Sequence, residues 1–399
     1  VSPRLFHPFA FNLPSMPLGE ALRLAVATIA SAKLRSFFTL LGIIVSVAKQ
    51  LSLAQVHQTA NLATANGWLT ERSFDGFLMS LDEVVVAYFL TGTANNPNNW
   101  VRLRNKNESW GLFGQASYEV VPGLTITAGN VGLAHTVANA LKLCEVAGVD
   151  VPVFPGCPVP LVHPAEDAAY VHGQDGFGDT GYTPAARAAE TEHGALAILR
   201  LAREHAGRLL LVTLGPLTNL ALALRLDPDL PARIGRLVVM GGAVTGQGNT
   251  SIPAEFNIAF DPEAADVVFR GFPAFELADW EAVVRHGFPH RDFEAWLGSG
   301  DHRARFYDGI SRFTRQWSEG KRGALWHSAD ALAMAAALHP DGVARAETRY
   351  LAVELEGRLS RGATLVDWQQ RTGKPANARI VLAYDQASFE AQVRAALGA

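Results

Sequence analysis

The sequence predicts an α/β fold, a mostly parallel sheet with helices on both faces. Three observations carry that prediction. From Gly123 onward, short strand-like runs alternate with helical stretches. The runs are apolar on both sides, as in strands buried between two helical layers. Several meet Gly or Pro where a strand should hand over to a helix, as at Pro155-Gly156, Gly215-Pro216 and Gly241-Gly242.

The elements follow in order. Leu124 to Ala128 reads as a buried strand. A helix comes next, with Leu133, Val137, Leu141 and Cys144 spaced by three and four. Val151 to Phe154 is a short strand and Leu196 to His205 a helix. Leu209 to Leu214 is an apolar strand, after which Gly215-Pro216 opens a helix running through Leu224. Leu237 to Met240 is a strand. Asp261-Pro262-Glu263 starts a helix, with Pro in the first turn and acids at the positive end of the dipole. Such sheets bind ligands beyond the carboxyl ends of their strands.

Residues 1–115 lack this rhythm. An amphipathic stretch, Glu20 to Ala32, precedes an apolar run, Phe37 to Ala48, of 12 residues. A membrane-spanning helix needs about 20, so the run reads as a buried helix, with a membrane remnant or a signal segment as alternatives. A second apolar stretch, Phe74 to Leu90, leads into Thr91 to Asn99, a Gly/Asn/Pro-rich loop or linker. The reading is therefore two parts, an atypical N-terminal segment over 1–115 and an α/β domain over 116–399.

Of the 399 residues, 49% are hydrophobic and 18% charged, with a formal net charge of −4. A sizeable core is available. Nothing in that balance draws the whole chain to nucleic acid, and no membrane partner is expected for 116–399. Two cysteines, Cys144 and Cys157, are too few for a disulfide framework and form no zinc pair. Both sit in apolar surroundings and read as buried thiols, which favours a cytoplasmic setting.

Three segments carry a family resemblance. Gly123-Leu124-Thr125-Ile126-Thr127-Ala128-Gly129-Asn130-Val131 is followed by His135 and Asn139. Val212-Thr213-Leu214-Gly215-Pro216-Leu217-Thr218-Asn219-Leu220 is the second. Met240-Gly241-Gly242, Asn249, Ala254-Glu255-Phe256-Asn257-Ile258 and Asp261-Pro262-Glu263-Ala264-Ala265 make the third. In this order they resemble the nucleoside hydrolases, enzymes that cut the N-glycosidic bond between ribose and a nucleobase. His172-Gly173-Gln174-Asp175-Gly176 resembles the family's glycine-flanked His loop. Trp326-His327-Ser328-Ala329-Asp330-Ala331 resembles its late motif, in which an Asp opening a helix ligates calcium.

The resemblance implies calcium held by Asp330 and the Leu214 carbonyl, and ribose hydroxyls bound by Asn130, Asn249, Glu255 and Asn257. It also implies His172 or His327 serving the leaving base. Many members carry His directly before the Asp. Here Ala329 stands there and His327 is two residues upstream of it. The family's opening Asp-x-Asp-Pro-Gly-x-Asp-Asp motif is absent, since the stretch in its place, Trp100 to Lys106, holds no Asp. The resemblance begins near Ala116, so an atypical segment replaces the first strand. Residues 20–93 weakly resemble fragments of ABC transporter permeases.

Each candidate has a plainer alternative. Asp330 could be only a helix cap, and Asn130 and Asn249 turn residues. Glu255 and Asn257 could be exposed polar residues flanking a buried Phe256; on an extended segment they would face one side. His172 could be an ordinary loop residue, His327 a packed one, and His135 surface or core. Three readings follow. One is a calcium-dependent ribohydrolase, with calcium binding weakened by the missing carboxylates. One is an impaired nucleoside- or ribose-binding relic. One is a membrane-associated permease fragment. The adjacent acids Asp82 and Glu83 are the upstream candidates for a substitute carboxylate. A small nucleoside is the expected partner, and a homo-oligomer is left open.

Overall fold

The computed structural model describes residues 123–164 and 166–399, and the backbone of two strands before them, 86–92 and 118–119. The permease-like stretch before residue 86, the run Phe37–Ala48 and the acids Asp82 and Glu83 lie outside the described residues.

In chain order, the described part opens with β1 (Val86–Gly92), β2 (Tyr118–Glu119) and β3 (Leu124–Ile126). Helix α1 (Leu133–Ala147), β4 (Val153–Pro155), α2 (Ala169–His172) and α3 (Gly194–Glu204) follow. Then come β5 (Leu209–Thr213), α4 (Thr218–Leu226), α5 (Leu230–Arg233), β6 (Ile234–Met240), α6 (Phe256–Phe260) and α7 (Pro262–Gly271). The chain continues through β7 (Phe275–Ala278), α8 (Trp280–Arg285), β8 (Phe288–Pro289), α9 (His290–Leu297), α10 (His302–Arg322), β9 (Leu325–Trp326) and α11 (Ala329–Leu338). It closes with β10 (Val343–Arg349), β11 (Leu351–Val353), β12 (Thr364–Val366), β13 (Ala378–Tyr384) and α12 (Gln386–Ala396).

The main sheet has the order β10-β13-β7-β6-β5-β1-β3-β4, with β2 against β1. Strands β13, β7, β6 and β5 pair in parallel, as do β3 and β4. Strand β1 runs antiparallel to both β5 and β3. The two flanking strands therefore point the same way, and their carboxyl ends share one edge with β6 and β7.

Alternation along each strand builds two cores. Leu210, Val212, Val238 and Met240 pack with residues of α1, α8 and α11 on one face. Leu209, Leu211, Leu237 and Val239 pack with α3, α4 and α7 on the other. All five residues of β5 are buried, which is why its sequence is apolar without alternation.

The N-terminal reading needs correction at one point. Val86–Gly92 falls within the segment taken as separate, yet it lies between β3 and β5, with Ala87 opposite both Thr125 and Thr213. Its Val, Tyr, Phe and Leu favour an extended chain, and two parallel strands with free edges leave one place to fill. The loop reading from Thr91 likewise starts two residues early, since Thr91 and Gly92 end the strand. The atypical segment thus supplies a strand in the first strand's place, with reversed direction.

Cys144 and Cys157 are free and buried, and burial pushes both thiols up to about 11. Among the described residues, no helix is long and apolar enough to cross a membrane.

Asn219, inside the second resemblance segment, is a fold residue. Its Oδ1 accepts from the Cys157 amide at 2.8 Å and its Nδ2 donates to the Ile126 carbonyl at 3.0 Å. It ties α4 to the ends of β3 and β4, and only a glycine fits at 156, where a Cβ would stand 2.2 Å from Asn219 Oδ1. Asn219→Ala strands a buried donor and a buried acceptor. Denaturant unfolding is expected to show a loss of about 2–4 kcal/mol. A loss below about 1 kcal/mol would show that water replaces the tie.

Candidate active site

Eight residues singled out from the sequence line one cavity of about 110 Å³ beyond the carboxyl ends of the sheet strands: Asn130, His172, Leu214, Asn249, Glu255, Asn257, His327 and Asp330. The residues come from separate connections. Asn130 follows β3, Leu214 follows β5, and Asn249, Glu255 and Asn257 follow β6. His172 ends α2, while His327 and Asp330 straddle the start of α11. His135 is exposed on α1, outside the cavity.

Glu255 is the N-cap of α6 and is 2% exposed. Its Oε1 accepts from the Asn257 amide at 2.9 Å. Its Oε2 accepts from the amides of Gly242 at 3.0 Å and Ile258 at 3.2 Å. Burial raises its pKa to about 7; the three amides pull it down and Asp279 pushes it up. The extended reading of Glu255-Phe256-Asn257 is corrected here. The cap bends the chain, Asn257 lies in the helix, and Glu255 and Asn257 are more deeply buried than the Phe between them. Helix formation wins because Glu255 meets two otherwise unpaired first-turn amides.

Asn257 Nδ2 donates to the carbonyls of Leu214 and Met240, both at 3.3 Å. The Leu214 carbonyl is therefore engaged by the amide, with one lone pair left for a ligand. Asn249 Oδ1 accepts from the Phe256 amide at 2.8 Å, so it holds the entry to α6 while facing the cavity. Asp330 is 5% exposed and is the second residue of α11, whose N-cap is Ser328. Ser328 holds the N-cap position without a side-chain cap bond, and the Asp330 carboxylate lies in the first turn, where the helix dipole favours it.

The two histidines are neutral at ordinary pH. Burial, then the Arg322 charge, lowers His172 to about 4. Burial, then the Arg322 charge and to a smaller extent His290, lowers His327 to about 4. The Val284 backbone acts the other way on His327 without a hydrogen bond of ordinary geometry, since both ring nitrogens lack partners. Trp280 lies 5.9 Å from the His327 ring. The Arg322 guanidinium sits over Trp280 at 4.6 Å and Trp317 at 5.0 Å, and Tyr170 meets Trp317 edge-on at 6.1 Å. This wall of Tyr170, Trp280, Trp317, Trp326 and Arg322 lines the cavity; Trp326 opens the late motif, and the other four were not singled out from the sequence. Trp280 had a signal, since it comes two residues after the end of β7. Trp317 and Arg322 had none, being spread along the 21-residue helix α10.

The Asp330 carboxylate and the Leu214 carbonyl are hard oxygen donors of the kind calcium takes. They are two, where calcium takes six to eight. Among the described residues, no group of three or more His, Cys, Asp or Glu side chains is placed to hold a metal. The described residues alone therefore do not make a calcium site.

Comparison with known proteins points in one direction. A family-wide sequence model described as inosine-uridine preferring nucleoside hydrolase matches residues 112–391. The chain is 35% identical over 266 residues to the non-specific ribonucleoside hydrolase RihC of Salmonella agona, covering 67% of this chain and 85% of that one. It superposes on a solved inosine-guanosine nucleoside hydrolase with TM-score 0.65 at 30% identity, over 70% of this chain and 90% of the other. A purine-preferring ribonucleoside hydrolase from Gardnerella vaginalis gives TM-score 0.65 at 27% identity, with the same coverage.

Proposed function

Because the chain belongs to the inosine-uridine preferring nucleoside hydrolase family, we propose that it hydrolyses the N-glycosidic bond of ribonucleosides, giving ribose and free base. One observation carries this reading. Polar groups suited to a sugar and aromatic groups suited to a base line the same cavity at the carboxyl edge of the sheet.

The chemistry follows from that division. Breaking the bond leaves positive charge on the sugar and negative charge on the base. Asn130, Asn249, Glu255 and Asn257 take the ribose hydroxyls. Glu255 Oε1 holds a single amide bond and keeps a lone pair for one of them. The Asp330 carboxylate faces the developing sugar cation. The aromatic wall takes the base, and Arg322, the one Lys or Arg among the described residues lining the cavity, favours its developing negative charge. His172 and His327 start neutral, so they serve the base as N–H donors rather than as stored acids.

A second reading has its own support: the absent front motif and the two-donor floor favour an impaired, ribose-binding relic. Calcium supplies a polarised water in such chemistry when it is bound, and here it is expected to bind weakly. Calorimetric calcium titration and base release from inosine and uridine test both readings together. Weak calcium binding with slow release is the expected result. Tight binding with rapid release would overturn the relic. In that case Asp82→Ala, which removes an acid outside the described residues, is expected to abolish both. Release from neither nucleoside would remove the hydrolase reading.

A further inference from the structure

Between β6 and α6 the chain runs from Gly241 to Glu255 without a helix or strand, yet it carries Asn249 to the cavity. Its backbone donors need partners outside the sheet. From Gly242 to Gln247 several of its backbone groups pair with one short segment, Asp279-Trp280-Glu281. The Trp280 amide donates to the Gly242 carbonyl at 2.9 Å, and the Val244 amide donates to Asp279 Oδ2 at 3.0 Å. Glu281 holds the next three residues at two points, Thr245 and Gln247. Its Oε1 accepts from the amides of Thr245 at 2.7 Å and Gln247 at 3.3 Å, and its Oε2 accepts from Thr245 Oγ1 at 2.6 Å.

Glu281 is 6% exposed, while Thr245 and Gln247 are on the surface. A buried carboxylate thus reaches outward to hold an exposed loop. The bonds are charge-assisted, the stronger kind. Asp279 caps α8 through the Ala282 amide at 2.9 Å, so that helix start does not depend on Glu281. Arg285 stands 3.7 Å from Glu281 on the same helix and balances its charge. The three bonds to the loop are what Glu281 adds, and Asn249 comes two residues after the last of them.

We propose that Glu281 is a positioning residue: by gripping Thr245 and Gln247 it fixes the loop that presents Asn249 to the sugar side of the cavity. The loop and the aromatic wall then move as one piece, since Trp280 precedes Glu281 in the chain. The role rests on the hydrolase reading for its sugar. The grip itself does not.

Two measurements separate these. The first is amide hydrogen exchange on the free protein, wild type against Glu281→Ala. Exchange at Thr245 and Gln247 is expected to quicken at least tenfold, with the β6 amides unchanged. Water reaches the loop, so the fold survives the change. The second is a double-substitution cycle on base release. Glu281→Ala is expected to raise KM about tenfold with kcat nearly unchanged, the mark of lost ground-state binding. On an Asn249→Ala background it is expected to add nothing. Glu281→Gln keeps one carbonyl oxygen for the two amides and is expected to recover most of the loss. Unchanged exchange overturns the grip. Effects on KM that simply add overturn the link to Asn249. A wild type that releases no base instead sinks the hydrolase reading, and the exchange result still decides the grip.

Discussion

Asp330→Asn is expected to lower kcat for base release by about 10²–10³-fold, with KM changed far less. The carboxylate is 5% exposed and lines the cavity from the first turn of α11. A buried negative charge stabilises a cationic sugar more than the neutral nucleoside that precedes it. Its benefit therefore falls on the transition state. Asn keeps the shape and removes the charge. Steady-state kinetics on the wild type and the variant read the effect, and a thermal melt checks the fold. An unchanged kcat would show that Asp330 only completes the helix start. A melting temperature lower by more than about 5 °C would mark the loss as structural.

The second large effect concerns Glu255 and pH. Burial holds its folded-state pKa at about 7, against an ordinary 4.5. The folded protein binds the proton more tightly than the unfolded chain does. The stability this group contributes is therefore full below pH 4.5 and is lost as pH rises through about 7. At about 1.4 kcal/mol per pKa unit, the loss is about 3 kcal/mol. Asp279, raised by burial from 3.8 to about 6, acts in the same direction at lower pH. Glu255→Gln mimics the protonated acid and does not titrate. Between pH 4.5 and 8, the wild type is expected to lose about 3 kcal/mol relative to this variant in urea unfolding. A constant difference across that range would show that the carboxyl ionises as freely folded as unfolded. The ionised carboxylate, not the acid, is the better acceptor for a ribose hydroxyl. Substrate binding is thus expected to improve over the pH range in which the fold weakens.

Much of this was legible in the sequence. Apolar runs broken by Gly and Pro fixed the strands, because a strand buried on both faces admits little else. Asp261-Pro262-Glu263 marked the start of α7 because cap chemistry is local, and Asp261 does cap it. The resemblance segments marked the eight cavity residues, since strand ends in such a sheet share one edge.

Other features needed the tertiary structure. The antiparallel insertion of Val86–Gly92 depends on which sheet edges are left unpaired, and no local pattern encodes strand direction. The bend at Glu255 replaced an expected extended run because the carboxylate meets the Gly242 amide 13 residues away as well as its own helix. Trp317 and Arg322 face the cavity through the packing of a long helix, which periodicity alone does not orient. The neutral state of His172 and His327 comes from burial beside Arg322. The sequence by itself determined the α/β order, because it follows from patterns among near neighbours in the chain, and its resemblance to a family pointed to the polar residues of the cavity. The protonation states, the aromatic wall and the grip of Glu281 on its loop were decided only by folding, because each depends on groups that the chain brings together from far apart.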